Sequence, residues 1–443
     1  MIFESFILNK KEILRIKKNI FFGINSEFFK IISQILFAPL MIFFWGVDKF
    51  GIWIFLISIP SIFTIFNINF NIATINEIIK CKSKKNFKKS NILFNNSIIF
   101  IIINSLVFSI LIFLFFFLDK IHFNILDGVP KKEIFISLVF IISSIYLNIF
   151  EGVFVTAVLS EGKHYLHFNL STIIDFMSKI LTAISGIIFD TLIIPSIIFF
   201  SFNLLQFLCH GFLFLRYKKN TYFSTKFFSL KSILYISKLS IGHTASILSN
   251  MLKNSGLIFV LGIFFGPSTV GYVSTIKTLF YYFPIRIFGK INSVIYFEIA
   301  NVIERKNLNK NIKNFINYIR LITILLFLFI FLSLLVGPII YSFWTNYNYE
   351  LTYLFLLIII LDTFFYLYKQ SITAFLTASN KNIIIEIIDL IILILSILVF
   401  YLICLKHISY IYAFAVITLG CFISLVYSYL FVSKHHLLKY KKK

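Results

Sequence analysis

Charged residues are scarce in this chain of 443 residues, and the acidic ones are the scarcest. Only 18 Asp and Glu stand against 41 Lys and Arg, and the four types together make up 13% of the sequence. An average soluble domain is about a quarter charged. Too little polar surface remains to cover a water-soluble globule. The composition therefore excludes a soluble enzyme, a fibrous protein and a disordered chain.

Cysteine motifs and the common catalytic motifs are missing as well. The four cysteines are widely spaced, so the sequence indicates neither a disulfide framework nor a zinc site. We find no Gly-rich phosphate loop, nucleophile elbow or metal motif, and we expect no cofactor, no enzymatic activity and no ATP-driven step within this chain. The adjacent His435 and His436 lie in a basic tail and are more typical of a solvated segment than of a metal site.

Long apolar runs make up most of the sequence, with 59% hydrophobic residues and a mean hydropathy of +0.94. A bilayer core of about 30 Å needs about 20 apolar residues per helix. Twelve such runs predict an all-α integral membrane protein with about 12 transmembrane helices. They lie near residues 20–45, 52–76, 92–118, 134–159, 169–188, 194–215, 233–265, 270–297, 318–343, 351–376, 383–405 and 409–432.

The loops between these runs alternate in charge. One set, which includes both termini, carries about 27 cations, and the other carries about five. Short cytoplasmic loops hold the Lys and Arg excess, so both termini are predicted to be cytoplasmic. This placement between apolar runs explains the basic excess better than a nucleic-acid partner does. The outer loops are all short, which excludes a folded external domain.

An internal repeat divides the chain. The segment 46–51 (Gly-Val-Asp-Lys-Phe-Gly) matches 266–271 (Gly-Pro-Ser-Thr-Val-Gly) at an offset of 220. Two further segment pairs follow at offsets of 217 to 221: 85–89 with 306–310, and 156–163 with 373–381. Six helices per half, both starting inside, predict two pseudo-symmetric six-helix lobes around a central cavity, with substrate sites between them near mid-membrane.

The predicted domain boundaries follow from the repeat and the loop charges. They are a basic interfacial segment at 1–19, an N-terminal lobe at 20–215, a basic cytoplasmic linker at 216–231, a C-terminal lobe at 232–432 and a basic cytoplasmic tail at 433–443.

Several short segments resemble the polysaccharide flippases of the O-antigen and capsule type (Wzx-like), within the superfamily that also holds multidrug extruders and lipid II flippases. They are Ala38-Pro39-Leu40, Phe50-Gly51-Ile52-Trp53, Asn76-Glu77, Asn254-Ser255-Gly256-Leu257-Ile258, Gly266, Val270-Gly271-Tyr272 and Pro284. Members often carry an Asp-x-Gly step late in the second span, where this chain has Asn67-Ile68-Asn69-Phe70-Asn71. That departure puts an ion-coupling role there in doubt.

The resemblance implies export of an undecaprenyl-diphosphate-linked oligosaccharide for O-antigen, lipopolysaccharide or capsule biosynthesis. The membrane would be the bacterial cytoplasmic membrane, and the partners would be the lipid-linked substrate, the bilayer and other polysaccharide-assembly membrane proteins. Two alternatives stay open. A multidrug extruder of the same fold would favour buried carboxylates over buried cations, and a polymerase or membrane glycosyltransferase would need a large outer loop with acid–base residues.

Cations inside the spans are the candidate substrate-binding residues, because an anionic diphosphate needs a wet, cationic cavity to cross hydrocarbon. They are Lys30, Lys253, Lys277 and Arg286. The alternative for each is snorkelling to an interface.

Other polar residues in the spans are candidates for coupling or for the polar cavity. They are Glu27, Asn67, Asn69, Asn71, Asp175, Lys179, Asp362 and Lys369. Asp175 and Lys179 are four apart on one helix face, which favours a structural ion pair. The asparagines fit helix–helix hydrogen bonding or sugar contact equally well. His243 is an intramembrane histidine for which a hydrogen-bonded core role is favoured over a proton relay.

Overall fold

The computed structural model describes residues 10–61, 74–75, 77–78, 81, 86–117, 129–161, 163–217, 228–289, 308–378, 382–406 and 408–433. All regular secondary structure in these ranges is helical. The α-helices are α1 (Lys10–Ser61), α2 (Phe87–Phe117), α3 (Lys131–Ser160), α4 (His164–Ile188), α5 (Ile193–Tyr217), α6 (Leu230–Met251), α7 (Leu257–Lys277), α8 (Leu308–Leu335), α9 (Gly337–Trp344), α10 (Tyr353–Ala378), α11 (Ile383–Leu405) and α12 (Tyr410–Val432). Two π-helical turns, Leu252–Gly256 and Thr278–Tyr282, flank α7.

The described ranges contain nine or ten candidate membrane spans. Nine helical stretches are long and apolar enough to cross a bilayer, and the bent pair Ile319–Leu335 and Gly337–Trp344 adds a tenth. Two of the nine, Phe21–Ser61 and Ser240–Gly289, have 41 and 50 residues. At 1.5 Å per residue each is about twice the thickness of the bilayer core. Each is therefore long enough to hold two spans, and the prediction of an all-α membrane protein with about 12 transmembrane helices is confirmed.

A single glycine breaks each of these long helices. Gly46 has φ 76° and ψ 172°, and Gly266 has φ 82° and ψ 179°, while the residues around them are helical. Side chains rarely tolerate this backbone region, which is open to glycine. The two glycines are the first residues of the repeat segments found in the sequence, 220 positions apart. The repeat therefore marks two breaks with the same backbone geometry.

The two repeat segments also pack against each other reciprocally. A Cβ atom on Gly51 would collide with the Pro267 carbonyl oxygen, and a Cβ atom on Gly271 would lie 3.2 Å from the Val47 carbonyl oxygen. Residues 47 and 267 correspond in the repeat, as do residues 51 and 271. Equivalent positions thus meet as symmetry mates would, which is direct structural support for the two pseudo-symmetric halves.

The predicted ninth run is bent where the sequence analysis placed one continuous segment. Helix α8 ends at Leu335, and α9 begins at Gly337 with Pro338 in its first turn, at an angle of 60°. Proline is well tolerated there because the first N–H groups of a helix have no intrahelical acceptor. The break lies between two otherwise apolar stretches, so hydropathy alone does not reveal it.

The chain divides into two compact units. The N-unit comprises Met1–Trp45 and Leu56–Thr244, and the C-unit comprises Gly46–Phe55 and Ala245–Lys443. The lobe boundaries placed at 216–231 stay a prediction, since residues 218–227 lie outside the described ranges.

Each unit has its own apolar packing. In the N-unit, Ile78, Phe94, Ile149 and Phe214 belong to one buried cluster, and the rings of Phe94 and Phe214 stack with centroids 5.9 Å apart. In the C-unit, Phe355 of α10 contacts Tyr272 of α7 and Phe414 of α12 at centroid distances of 5.7 and 5.2 Å.

Helix α11 shows why these elements belong in lipid. One face is exposed and apolar, with Ile387, Ile391, Ile394, Leu398 and Leu402 at spacings of three and four residues. Its opposite face is buried against the C-unit. An exposed aliphatic stripe of this length suits hydrocarbon, where a helix satisfies all its own backbone hydrogen bonds.

Candidate functional site

A buried ion pair lies at the centre of the C-unit. The Lys253 ammonium is 2.8 Å from Asp362 Oδ1, and the two side chains are only 5% and 6% exposed. Lys253 comes from the π-helical turn after α6, and Asp362 comes from the middle of α10. Both charges are removed from water, so each depends on the other for its stability in the membrane.

Aromatic rings and a thiol complete the surroundings of Lys253. Its Nζ lies 4.9 Å from the Tyr281 ring centroid and 5.2 Å from that of Tyr366. It also donates to Cys421 Sγ at 3.1 Å. Cation–π contacts of this kind strengthen when the cation is desolvated. The ammonium is therefore held on several sides by groups from three helical segments.

Lys277 is a second buried cation, and it has no carboxylate partner among the described residues. Its residue exposure is 2%, and its Nζ donates to the Lys253 carbonyl oxygen at 3.1 Å and to Asn254 Oδ1 at 3.2 Å. The Tyr281 ring centroid lies 5.2 Å away. These partners are dipoles and π-faces rather than full negative charges. Its hydrogen-bond acceptors in the described part of the chain are thus neutral groups.

Both lysines are placed by π-helical turns. Lys253 lies within Leu252–Gly256, and Lys277 directly precedes Thr278–Tyr282. Such turns are rare and often occur at functional sites, because they change the direction of side chains and interrupt the regular i→i−4 backbone hydrogen bonds. The sequence carries no simple signal for them.

The second π-turn leads into Pro284, and the polar groups around it are unevenly satisfied. Proline cannot donate to the carbonyl of Phe280 four residues earlier. The Thr363 hydroxyl of α10 donates to that carbonyl instead, at 2.8 Å. Arg286 follows two residues later, and its buried Nη1 has no hydrogen-bond partner in the described part of the chain. The helix thus contains a π-turn just before Pro284.

A second ion pair lies beside the first. Lys369 Nζ is 2.7 Å from Asp389 Oδ2 of α11, and the Ser424 hydroxyl of α12 donates to Asp389 Oδ1. A cavity of about 20 Å³ lies among Lys253, Lys369, Asp389 and their neighbours. That volume suffices for about one water molecule and excludes a lipid headgroup.

The candidate charges of the N-unit are arranged differently. Lys179 Nζ is 3.0 Å from Asp175 and 3.3 Å from Ser33 Oγ, and Lys30 is 4.0 Å from Glu27. All four charged side chains are partly exposed. The pairs join residues three or four apart on α1 or α4, so they need no long-range packing to form.

An apolar-walled cleft of about 310 Å³ lies beside these pairs, between α1 and α4. Its lining combines five apolar residues with four that carry hydroxyl or amide groups: Phe22, Asn25, Ser26, Phe29, Asn169, Thr172, Ile173, Phe176 and Met177. The Thr172 hydroxyl donates to Ser26 Oγ at 2.6 Å and links the two helices. The N-unit thus has the larger opening, and the C-unit has the more buried charges.

The structure brings together only some of the residues singled out in the sequence. Lys253, Lys277, Asp362 and Lys369 gather in the C-unit, but Asp362 pairs with Lys253 and not with Lys369. Asn67, Asn69 and Asn71 and the side chain of His243 lie outside the described residues. The sequence analysis missed Tyr281, Tyr366 and Asn254 as partners, since aromatic residues are too common in this chain to stand out.

Comparisons with solved structures show the fold. A multidrug resistance MATE family transporter of the MOP superfamily, in an inward-facing conformation, aligns with a TM-score of 0.71 at 12% identity, over 94% of this chain and 96% of that one. The lipid II flippase MurJ aligns with a TM-score of 0.66 at 19% identity, over 94% and 87%. A Vibrio cholerae MATE transporter aligns with a TM-score of 0.65 at 15% identity, over 95% and 98%.

No protein-family model and no curated protein matches the sequence. At these identities the structural likeness establishes the architecture. The chain is a multi-pass membrane protein with the fold of MOP-superfamily transporters, and its structural neighbours are transporters and flippases rather than enzymes.

Proposed function

We propose that this protein is a flippase for a lipid-linked oligosaccharide with a diphosphate headgroup. It moves undecaprenyl-diphosphate-linked repeat units from the inner to the outer leaflet of a bacterial cytoplasmic membrane, by alternating access, for surface polysaccharide such as O-antigen or capsule. Both termini face the cytoplasm, in keeping with the cation-rich loops on that side.

The observation that carries the proposal is the environment of two cations in the C-unit, the buried Lys277 and the partly buried Arg286. Lys277 has only neutral partners, and Arg286 has a buried Nη1 with none, among the residues that the structure describes. A buried cation is expensive in hydrocarbon and marks a substrate or ion pathway by default. Guanidinium matches a phosphate with two parallel donors, and an ammonium adds a point charge.

The same charges weigh against the multidrug alternative, which the fold supports equally well. An extruder of cationic drugs needs a carboxylate free to meet its substrate. In the C-unit, Asp362 and Asp389 each already face a lysine at 2.8 and 2.7 Å. The excess that remains is positive, and it favours an anionic headgroup.

The test is a deletion strain complemented with defined variants. Loss of the protein is expected to remove surface glycan and to leave the lipid-linked unit in the inner leaflet, measured with a glycan-specific lectin on sealed inverted vesicles. Wild type restores export, and Lys277→Gln combined with Arg286→Gln restores less than a tenth of it. Lys238→Gln, an exposed lysine on α6, is the matched control and complements fully.

Two results would contradict the proposal. Normal leaflet distribution together with raised accumulation of cationic dyes in the deletion strain would identify a multidrug extruder. Lipid-linked units that reach the outer leaflet without being polymerised would point to a polymerase. Membrane levels of each variant are measured by immunoblot, so that loss of protein is not read as loss of transport.

A further inference from the structure

Two histidines and a glutamate meet inside the N-unit, away from every candidate considered so far. Glu151 comes from α3, His167 from α4 and His210 from α5. One donor atom from each lies within 4.8 Å of the others. Glu151 and His210 are 4% and 0% exposed. Three helices thus bring three metal-ligand side chains to one buried point.

The hydrogen bonds prepare His210 for a ligand role. Its Nδ1 lies 3.0 Å from the carbonyl oxygen of Gln206, which can only accept, so Nδ1 carries the proton. In the neutral ring, Nε2 then has the free lone pair. It faces His167 Nδ1 at 3.0 Å. Metal-ligating histidines are commonly oriented in this way, by donating their other N–H to a carbonyl oxygen.

Glu151 is held in a similar manner. The side-chain amide of Gln206 donates to both of its carboxylate oxygens, at 2.9 and 3.1 Å. Its other close neighbour is His210 Nδ1, at 3.1 Å. Neither partner is permanently charged, so a buried carboxylate in a membrane protein still needs a cation or a proton to neutralise it.

We propose that Glu151, His167 and His210 bind a divalent transition-metal ion of the Zn²⁺ class that ties α3, α4 and α5 together. Imidazole and carboxylate form a ligand set that suits Zn²⁺. At bond lengths of about 2.0–2.1 Å, tetrahedral donor atoms are about 3.3 Å apart. The imidazole nitrogens at 3.0 Å need only a small opening, and the Glu151 carboxylate, which lies against His210 Nδ1, must turn toward Nε2 to complete the ligand set. The ion takes the place of the proton between the rings, and that proton moves to His167 Nε2, so both imidazole ligands stay neutral.

The first test measures metal binding to the purified full-length protein in detergent. The protein is purified with an affinity tag that contains no histidine. After chelator treatment, Zn²⁺ alone is titrated by calorimetry, and Co²⁺ is added to a second sample for its visible absorption. We expect one Zn²⁺ per chain and the Co²⁺ spectrum of a four-coordinate site. No binding by wild type would overturn the proposal and leave a hydrogen-bonded histidine pair.

Variants then locate the ion. His167→Gln, His210→Gln and Glu151→Gln are each expected to weaken Zn²⁺ binding at least tenfold, and Gln206→Ala roughly tenfold through the orientation of Glu151. Two controls retain binding: His243→Gln, and His435→Ala with His436→Ala in the basic tail. Loss of binding in the tail variant with retention in His210→Gln would place the ion elsewhere and reject the site.

For variants that fold poorly, the unfolding temperature is measured with and without Zn²⁺. Zn²⁺ should raise the unfolding temperature of wild type in proportion to its binding, and should not raise that of His210→Gln. An equal rise in both proteins would contradict the assignment. None of these measurements depends on transport. A negative result for metal binding can therefore be distinguished from a negative result for the proposed function.

Discussion

The N-unit and the C-unit use the same kinds of charged residue in opposite ways. The pairs Glu27–Lys30 and Asp175–Lys179 join residues within a turn of one helix, with side chains 25% to 39% exposed. In the C-unit, Lys253–Asp362 joins residues 109 positions apart, with side chains 5% and 6% exposed. The difference shows that the sequence spacing of two charges does not indicate how much their ion pair affects the stability of the protein.

Burial decides what each pair does. An exposed pair exchanges water contacts for a weak attraction, and its removal changes little. A buried pair is not strongly stabilising as a whole, but removal of one partner leaves an uncompensated charge. The Lys253–Asp362 pair is therefore a place where a single charge change should have a large effect.

The largest effect is expected for Asp362→Asn. The change leaves the Lys253 ammonium without its anion at 2.8 Å and should lower the free energy of unfolding by about 3–5 kcal/mol. It is measured by unfolding in mixed micelles with increasing denaturing detergent. Asp175→Asn in the N-unit is the matched control and should lie close to wild type.

The paired replacement Lys253→Met with Asp362→Leu sharpens the comparison. Both charges are then gone, so most of the stability should return even though the ion pair is lost. If the single variant were as stable as wild type, or the double variant no better than the single one, burial would not be the reason for the difference between the units.

A second contrast concerns close packing at glycine. A Cβ atom on Gly51 of the C-unit would meet the Pro267 carbonyl oxygen, which belongs to the backbone, whereas one on Gly186 of the N-unit would meet the Trp45 side chain. Overpacking costs typically 1–3 kcal/mol, and less where the neighbour can move. Gly51→Ala should therefore destabilise more than Gly186→Ala in the same unfolding assay.

Gly289 offers the control for this pair, because a Cβ atom there would have nothing within 4 Å among the residues that the structure describes. Gly289→Ala should be near neutral. An equal loss of stability in Gly51→Ala and Gly289→Ala would mean that the contact between the repeat segments contributes nothing.

The sequence predicts what depends on local spacing. Runs of about 20 apolar residues predicted the spans, and the recurrence of a glycine-bounded segment predicted two corresponding breaks, which Gly46 and Gly266 provide. The spacing of Asp175 and Lys179 likewise matches the ion pair seen on α4. Each of these features is encoded within a few turns of one helix or in a plain duplication.

The remaining features depend on which helices pack together. Lys253 meets Asp362, and His167 meets His210, only because separate helices place them side by side, and no periodicity within one helix indicates such a partner. The π-turns that position Lys253 and Lys277 are also invisible in a composition so rich in Ile and Phe. The chemistry of both units is thus set by tertiary contacts that a single sequence does not reveal.

The smallest effect is expected at the exposed pair of the N-unit, in a double-mutant cycle of Asp175→Asn and Lys179→Met. Helical pairs four residues apart contribute about 0.3–0.5 kcal/mol, and screening by salt reduces this further. The coupling should shrink as the ionic strength of the unfolding assay rises. Lys179 also donates to Ser33 at 3.3 Å, so Ser33→Ala is included to separate the hydrogen bond from the charge pair. A coupling as large as that of Lys253 and Asp362 would break the comparison, because it would show that partial exposure does not weaken ion pairs in this protein.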